Sequence, residues 1–335
     1  MEDNRIIIKK LIVHILDTNL QIPVISTEEH PLEMDISDYL TRHIMRILQA
    51  DNAKDAMFLN DSKVGRICAG LAEAYDRFSG LTGEIAGILY DIMLRNVDIP
   101  PADLICVQFD LDDVPHIGML KMNFRNTYIH FIVNLDEGTQ NKLIRQQATL
   151  PGEAQKIDEC ALINLNDMSI RLIEKKYDID GEKTNYFSEL FLQCSGDISN
   201  REKIRLFNKA TDQFKEEYFG DDFKKGLEIR KAVSESFENN SAIDIEEVAA
   251  NVFKNSPDMQ KSYLKSMEDA GLKTTLLSPS EKVIEKNYRK QTLKTDTGIE
   301  INIPMDCYSD SGRIEFITNP DGTISIIIKN VNRIF

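Results

Sequence analysis

The sequence contains no apolar run that approaches the ~20 residues a membrane-spanning helix needs. Its first residues, Met1 to Arg5, open with acids and lack the basic region and cleavage site of a signal peptide. The five cysteines stand far apart and form neither a metal-ligand spacing nor a small disulfide framework. These absences predict a cytoplasmic protein that has buried free thiols and no membrane partner.

The chain also lacks the usual catalytic signatures. It has no phosphate-binding loop, no dinucleotide fingerprint and no Ser-His-Asp order, and its five histidines do not cluster. The acids Asp110, Asp112 and Asp113 follow an apolar run, where an acidic turn is the simplest interpretation. The sequence therefore predicts no enzyme, no metal site and no cofactor.

Basic residues are fewer than acidic ones, so the formal net charge is −15 over 335 residues. Such a balance argues against a protein that coats nucleic acid through bulk charge, although a local basic face remains compatible with it. The length is sufficient for two or three domains with cores of their own.

A central antiparallel sheet is predicted between residues 100 and 176. Short apolar runs rich in β-branched and aromatic residues alternate there with turn residues, and the connections are too short for crossover helices. We expect a meander of about five strands with upstream helices covering one face. The predicted strands are residues 100–110, 116–124, 127–134, 159–164 and 168–174.

Upstream of this sheet, the pattern predicts a strand at residues 5–16 with residues 20–26 as its hairpin partner. Helices are predicted at residues 35–49, 64–78 and 84–95, because apolar residues recur there at helical spacing. Residues 51–58 are predicted to be a loop, and residues 79–83 a connection between helices.

The polar, glycine-containing stretch 177–184 predicts a domain boundary. Beyond it the pattern indicates a mostly helical module, with helices at residues 185–193, 199–218, 222–239, 243–252 and 257–270. Four short strands follow at residues 291–295, 299–303, 313–318 and 323–329. The predicted class is thus α+β: an α+β domain at 1–180 with a mostly antiparallel sheet covered by helices, a helical module at 181–275, and a small β unit at 276–335.

Two basic stretches are candidate DNA contacts. In the helix predicted from residue 199, Arg201, Arg205 and Lys209 lie at i, i+4 and i+8 and share one face, with Lys203 nearby. A second set, formed by Lys286, Arg289, Lys290 and Lys294 with Tyr288 among them, precedes the last strands. Bases with an aromatic residue between them can contact phosphates or stack on bases, although an ordinary solvated surface gives the same pattern.

The order of elements, with the run NYFSELFLQCSG at residues 185–196, the charged helix after it, GRIEF at 312–316 and DGTISI at 321–326, resembles the bacterial nucleoid-associated family called NdpA or YejK. The resemblance covers nearly the whole chain. It implies a cytoplasmic protein associated with the nucleoid, which binds double-stranded DNA and has no known catalysis.

The leading hypothesis is therefore a non-enzymatic, nucleoid-associated protein that contacts the phosphates of double-stranded DNA with weak sequence preference. One alternative is an interaction scaffold that acts on a DNA-processing protein, since the acidic surface suits a basic partner. A further alternative is a Mg²⁺-dependent nuclease that uses Asp158, Glu174 and Lys176. Assembly into a homo-oligomer is also left open.

Overall fold

The computed structural model describes residues 5–73, 75–136, 138–220, 222–304 and 312–333. The chain divides into two compact units, Met1–Ser199 and Asn200–Phe335. The division thus lies after Ser199, whereas the sequence predicts a first boundary after residue 180. The predicted boundary stretch forms a small hairpin in the first unit, and residues 276–335 are grouped with the helices of the second.

The first unit is built on an antiparallel sheet. The strands of this unit, of which not all belong to that sheet, are β1 (Ile6–Leu16), β2 (Lys54–Phe58), β3 (Ala102–Leu111), β4 (Val114–Asn123), β5 (Arg125–Leu135), β6 (Gly138–Thr149), β7 (Glu159–Asn164), β8 (Ser169–Ile173), β9 (Tyr177–Ile179), β10 (Glu182–Thr184) and β11 (Cys194–Gly196). Seven of them pair in the order β1-β3-β4-β7-β8-β2-β11, and every neighbouring pair is antiparallel. The strands β3, β4, β7 and β8 match four of the five strands predicted for the central sheet, but β4 pairs directly with β7.

Helices cover both faces of this sheet. They are α1 (Met34–Leu48), α2 (Lys63–Glu73) and α3 (Phe78–Arg95), with a 3₁₀ turn at Tyr75–Arg77 and a π-helical turn at Phe187–Leu192. Ile105 and Val107 of β3 pack in the cluster that contains α1, while Leu104 and Cys106 pack in the cluster that contains α2 and α3. The expectation of one covered face is therefore wrong. A strand buried on both faces has a continuous apolar run, and residues 104–107 are such a run.

Three local predictions in the first unit need correction. Residues 54–58, predicted as part of a loop, form β2 inside the sheet, where they pair with β8. The expected hairpin partner at residues 20–26 is reduced to a single bridge between Ile15 and Val24. Residues 79–83 are the first turns of α3 rather than a connection, because Leu81 and Thr82 are buried on its inner face.

The third predicted strand leaves the central sheet. In the described residues, β5 and β6 pair only with each other, so that they form a separate two-stranded hairpin inserted between β4 and β7. We call this hairpin, residues 125–149, the β-arm. Its first strand matches the predicted run at residues 127–134, but the sequence analysis placed that run in the core and did not predict β6.

The second unit is mostly helical. Its elements are α4 (Asn200–Phe219), α5 (Phe223–Asn240), β12 (Ile243–Asp244), α6 (Ile245–Val252), α7 (Pro257–Asp269), β13 (Leu276–Leu277), α8 (Glu281–Asn287), β14 (Lys290–Lys294), β15 (Glu300–Pro304), β16 (Ile314–Thr318) and β17 (Ile324–Ile328). An aromatic cluster lies at its centre, where Phe214 packs against Phe253 and Tyr263. No helix in the described residues is long and apolar enough to cross a membrane.

The predicted terminal strands are confirmed. β14 pairs with β15 and β16 pairs with β17, both antiparallel. Each hairpin turns at a glycine with positive φ, Gly298 at 88° and Gly322 at 85°, which a residue with a side chain rarely adopts. The predicted α+β class is therefore confirmed, with the large sheet in the first unit and small hairpins near the C-terminus.

Candidate nucleic-acid interface

The basic face of α4 is the first element of the candidate interface. Ile204, Phe207, Ala210 and Phe214 are buried on the inner side of this helix. Their spacing of three or four residues defines one apolar stripe, which determines which side of the helix faces the solvent. Arg201, Arg205 and Lys209 are all exposed on the other side, so the predicted spacing does bring them onto one accessible face. Lys203 is half-buried.

One base of this face is already engaged by an acid. The guanidinium of Arg205 donates from Nε to Glu202 Oε2 at 2.8 Å and from Nη2 to Glu202 Oε1 at 2.6 Å. These hydrogen bonds raise the pKa of Arg205 above its ordinary value. Among the described residues, no acidic side chain forms an ion pair with Arg201 or Lys209. The i, i+3 spacing of Glu202 and Arg205 is a signal of this pair that the sequence analysis did not use.

Apart from Glu202 in the first turn, the charges near the ends of α4 run against its dipole. Arg201 and Lys203 lie in the first turn, where the partial positive charge of the helix end disfavours cations, and Glu216 and Glu217 lie near the C-terminal end, where acids are disfavoured. Each such placement costs roughly 0.3–1 kcal/mol at an exposed site. The pattern therefore does not serve helix stability, whereas a bound anion near the start of α4 would be attracted by both the bases and the dipole.

The second predicted basic set lies beside α4. Tyr288, which follows α8, is buried and donates its hydroxyl to Asn208 Oδ1 of α4 at 2.5 Å. Before α8, the carbonyl of Ser278 accepts from Asn200 Nδ2 at 3.0 Å. These two contacts hold the segment around α8 alongside α4. Tyr288 is consequently a core residue rather than the exposed stacking surface that the sequence suggested, and no sequence signal indicated its partner Asn208.

The four bases of this second set differ in their surroundings. Lys286 is exposed, and in the described residues no acidic side chain pairs with it. Arg289 Nη2 lies 3.4 Å from Glu281 Oε1, and Arg289 Nη1 lies 3.8 Å from Glu285 Oε1. Lys294 Nζ lies 2.5 Å from Glu300 Oε1. The side chain of Lys290 lies outside the described residues. Nearby acids thus compensate a larger share of this set than of the face on α4.

The acidity of the chain is unevenly divided between the units. Residues 1–199 carry 32 acids and 19 bases, whereas residues 200–335 carry 23 acids and 21 bases. The net charge of −15 therefore comes almost entirely from the first unit. Because the second unit is close to neutral, its local basic face meets much less repulsion from phosphates than the whole-chain charge suggests.

The surroundings of Glu174 differ from what the nuclease alternative requires of a metal ligand. Glu174 Oε1 accepts from Lys54 Nζ at 2.8 Å and from Ser188 Oγ at 3.0 Å, while Oε2 accepts from the amide of Ser188 at 3.0 Å. This carboxylate is 1% exposed, so it anchors the π-helical turn. In the part of the chain that is described, no three His, Cys, Asp or Glu side chains are grouped so that they could hold a metal ion.

Fold and surface together define an α+β protein of two units that carries an exposed basic helix face on its second, nearly neutral unit. The chain belongs to the family described as nucleoid-associated protein YejK, whose model matches residues 12–334. The resemblance inferred from the sequence is thereby confirmed over almost the entire chain. The comparison with curated proteins found no significant match.

Proposed function

We propose that this protein is a non-catalytic DNA-binding protein of the nucleoid, located in the cytoplasm, and that the basic face of α4 contacts the phosphates of double-stranded DNA. The observation that carries the proposal is the exposed row of Arg201, Arg205 and Lys209, which stands on a helix whose dipole also favours an anion at that end. Membership in a nucleoid-associated family supports the same function. Lys203, Lys286, Arg289, Lys290 and Lys294 are proposed as neighbouring contacts.

Weak sequence preference follows from the chemistry of this face. Bases in a row along one helix face meet the repeating phosphates of a duplex, and phosphate contacts position a protein without identifying the sequence. A large part of the affinity then comes from counterion release and falls steeply as salt is added.

The test measures duplex affinity at several salt concentrations for the wild type and for Arg201→Ala/Arg205→Ala/Lys209→Ala. The triple variant is expected to bind unrelated duplexes more weakly and to flatten the plot of log K against log salt by about 2–3 units, at roughly 0.9 per lost contact. Thermal stability is expected to stay nearly unchanged, because exposed charges on a helix contribute only a few tenths of a kcal/mol each, roughly.

A matched control is available in the same unit. Residues 233–272 carry eight acids and only three bases, Lys254, Lys261 and Lys265. All three lysines are exposed, and replacing them by Ala removes the same charge as the α4 triple variant. The control is expected to retain a salt slope close to that of the wild type. Equal losses in both triple variants would assign binding to net charge alone and remove α4 from the interface.

A second candidate function, contact with a basic DNA-processing protein, is favoured by the 13 excess acids of the first unit. It becomes the better account if the wild type fails to bind any duplex at low salt. The absence of catalysis is tested with plasmid DNA and Mg²⁺ or Mn²⁺, where we expect no nicking. Nicking that disappears in Glu174→Ala would establish the nuclease alternative instead.

A further inference from the structure

The β-arm exposes an unusual amount of apolar surface. Leu143 is 78% exposed and Tyr128 is 70% exposed, although side chains of this size are usually covered in a folded domain. With about 200 Å² as the full area of a large apolar residue, the exposed side chains of this segment leave on the order of 700 Å² uncovered. The side chains counted are Tyr128, Ile129, Phe131, Ile132, Leu143 and Ile144.

This surface lies on both sides of the β-arm. Ile129 pairs directly with Ile144, so these two side chains point to one face, which they share with Phe131. Tyr128, Ile132 and Leu143 alternate with them and point to the opposite face. A single flat contact would cover only one of these faces, and an isolated two-stranded hairpin is marginal in water. The β-arm therefore has the properties of an element that lies between other surfaces.

Polar contacts fix the position where the β-arm joins β4 and β7. Lys121 near the end of β4 and Glu159 at the start of β7 are fully buried, with Lys121 Nζ 3.3 Å from Glu159 Oε2. Asn123 Nδ2 donates to the same Glu159 oxygen at 3.1 Å, and Arg125 Nη2 donates to the carbonyl of Lys156 at 3.1 Å. Both strands thus leave the sheet from a fixed polar cluster, so that the β-arm is presented to a partner from a defined point.

Charge indicates what that partner is. The β-arm carries the bases Arg125, Lys142 and Arg145 along its strands, whereas its two acids, Asp136 and Glu137, are next to each other in the sequence at the end of β5. The remainder of residues 1–199 carries 30 acids and 16 bases. The strands of the β-arm are therefore basic and apolar, and the unit from which they project is strongly acidic, which makes two copies electrostatically complementary.

Double-stranded DNA fits this element less well. A β-ribbon that reads DNA lays one face of its strands in a groove, where polar and basic side chains contact base edges and phosphates, whereas the β-arm exposes large apolar side chains on both faces. Asp136 at the end of β5 and Glu137, which follows it in the sequence, would also repel phosphates.

We propose that the β-arm binds a second copy of this chain in a reciprocal two-fold exchange, with one face of each arm lying on the acidic first unit of the other copy and the opposite face packed against the arm of that copy. The uncovered apolar area of about 700 Å² is close to the roughly 800 Å² that each partner contributes to a stable interface. Reciprocal exchange is the closed arrangement for such a contact, because the same two surfaces meet twice. This inference is independent of the proposed DNA contact on α4.

The test is sedimentation equilibrium of the full-length protein at several concentrations. The wild type is expected to be a dimer, and Tyr128→Ser/Ile132→Asn/Leu143→Ser is expected to raise the dimer dissociation constant by roughly 100-fold or more, as the loss of central interface side chains does. These residues are exposed, so the circular dichroism spectrum is expected to stay nearly unchanged. A second variant, Lys142→Glu/Arg145→Glu, retains the apolar surface and is expected to weaken the dimer through charge alone.

A matched control removes apolar side chains elsewhere in the same unit. Ile22, Met34 and Val97 are 73%, 82% and 93% exposed, and their joint replacement by Ser is expected to leave the dimer intact. A wild type that is monomeric at all concentrations overturns the proposal, as does a dimer that survives both arm variants or is lost equally in the control. A monomeric wild type whose duplex binding is lost in the arm variants would assign the β-arm to DNA instead.

Discussion

At the scale of single residues, burial in the first unit favours the neutral forms of His14 and Asp103. Burial lowers the pKa of His14 to about 4. Burial, with help from Asp17, raises the pKa of Asp103 to about 6. In the described residues, His14 Nε2 and Asp103 Oδ1 are buried without a hydrogen-bond partner. Because both side chains titrate between pH 4 and 7, the stability of the first unit depends on pH through two opposing contributions.

We expect Asp103→Asn to stabilise the protein at neutral pH. The folded state holds the Asp103 proton up to about pH 6, whereas the unfolded chain releases it near pH 4. The folded state therefore binds more protons in this window, and stability falls as pH rises through it. Removing the carboxylate is expected to gain about 1–3 kcal/mol at pH 7.5 and close to nothing at pH 4. Urea unfolding at the two pH values measures this, and an equal gain at both would contradict the assignment.

The pH dependence of stability expected from His14 has the opposite sign to that expected from Asp103, so His14 serves as an internal check. Its folded pKa of about 4 lies below the value in the unfolded chain, so the unfolded state binds the proton first as pH falls. Stability from this group is complete above about pH 6.5 and is lost towards pH 4. His14→Gln is therefore expected to flatten the acid side of the stability profile, while Asp103→Asn steepens it.

The buried pair Lys121–Glu159 makes a second prediction. Burial lowers the pKa of Lys121, and Glu159 only partly compensates, so each charge depends on the other. Lys121→Met or Glu159→Gln alone is expected to cost about 3–5 kcal/mol, because one buried group is left uncompensated. The double variant Lys121→Met/Glu159→Gln is expected to lose less than the sum of the single losses. A double-mutant cycle by urea unfolding measures the coupling, and strict additivity would contradict it.

At the scale of elements, Glu202 is expected to modulate the DNA binding that is proposed for α4. Glu202 occupies two donors of Arg205, and those donors are proposed to face phosphates. A carboxylate that competes with phosphate for the same guanidinium weakens binding and reduces the number of counterions released. The proposed affinity of α4 for DNA is thus lower than its count of bases suggests.

We therefore expect Glu202→Gln to tighten duplex binding several-fold and to steepen the salt slope by up to about 0.9. The matched control is Glu228→Gln, because Glu228 is also exposed and pairs with a base at i, i−3, namely Lys225. Filter binding or fluorescence anisotropy at several salt concentrations measures both variants. If the two variants tighten binding equally, the effect comes from net charge and Arg205 is not a contact.

At the scale of the whole molecule, the two units have separate cores. The first unit is held by the clusters on the two faces of its sheet, and the second by the cluster around Phe214 and Phe253. The segment after residue 180 belongs to the first of these cores, because Phe187, Phe191 and Leu192 are buried in it. The packing therefore places the working boundary after Ser199.

We expect fragments 1–199 and 200–335 to fold separately and fragment 1–180 to fold poorly. Truncation at residue 180 removes the five buried side chains of Tyr186, Phe187, Phe191, Leu192 and Cys194, and the loss of a large one costs about 2–5 kcal/mol. Circular dichroism and urea unfolding of the purified fragments measure this. A stable fragment 1–180 would favour the boundary predicted from the sequence. Under the proposed function, fragment 200–335 is also expected to retain duplex binding that fragment 1–199 lacks.

Local sequence patterns were sufficient to predict several helices and hairpins of this fold. Apolar residues at helical spacing predicted α1 and α4, and glycine turns predicted the hairpins β14–β15 and β16–β17, because these features depend on neighbours in the sequence. β2 was missed because a strand of five residues in a polar context has little periodicity. The continuous apolar run at residues 104–107 contained the information that both sheet faces are covered, and it was used only to predict a strand.

The sequence by itself determined the α+β class, the family, the positions of the main helices and the shared face of Arg201, Arg205 and Lys209, since composition and period act over a few residues. Only the tertiary structure decided that β5 leaves the sheet and forms the β-arm with β6. It also decided that Tyr288 is buried against Asn208, which holds α8 beside α4. The contacts of the Glu174 carboxylate with Lys54 and Ser188 likewise depend on the tertiary structure. The physical reason is that strand pairing and side-chain partners join residues far apart in the chain, and a strand's period is the same whichever neighbour it pairs with.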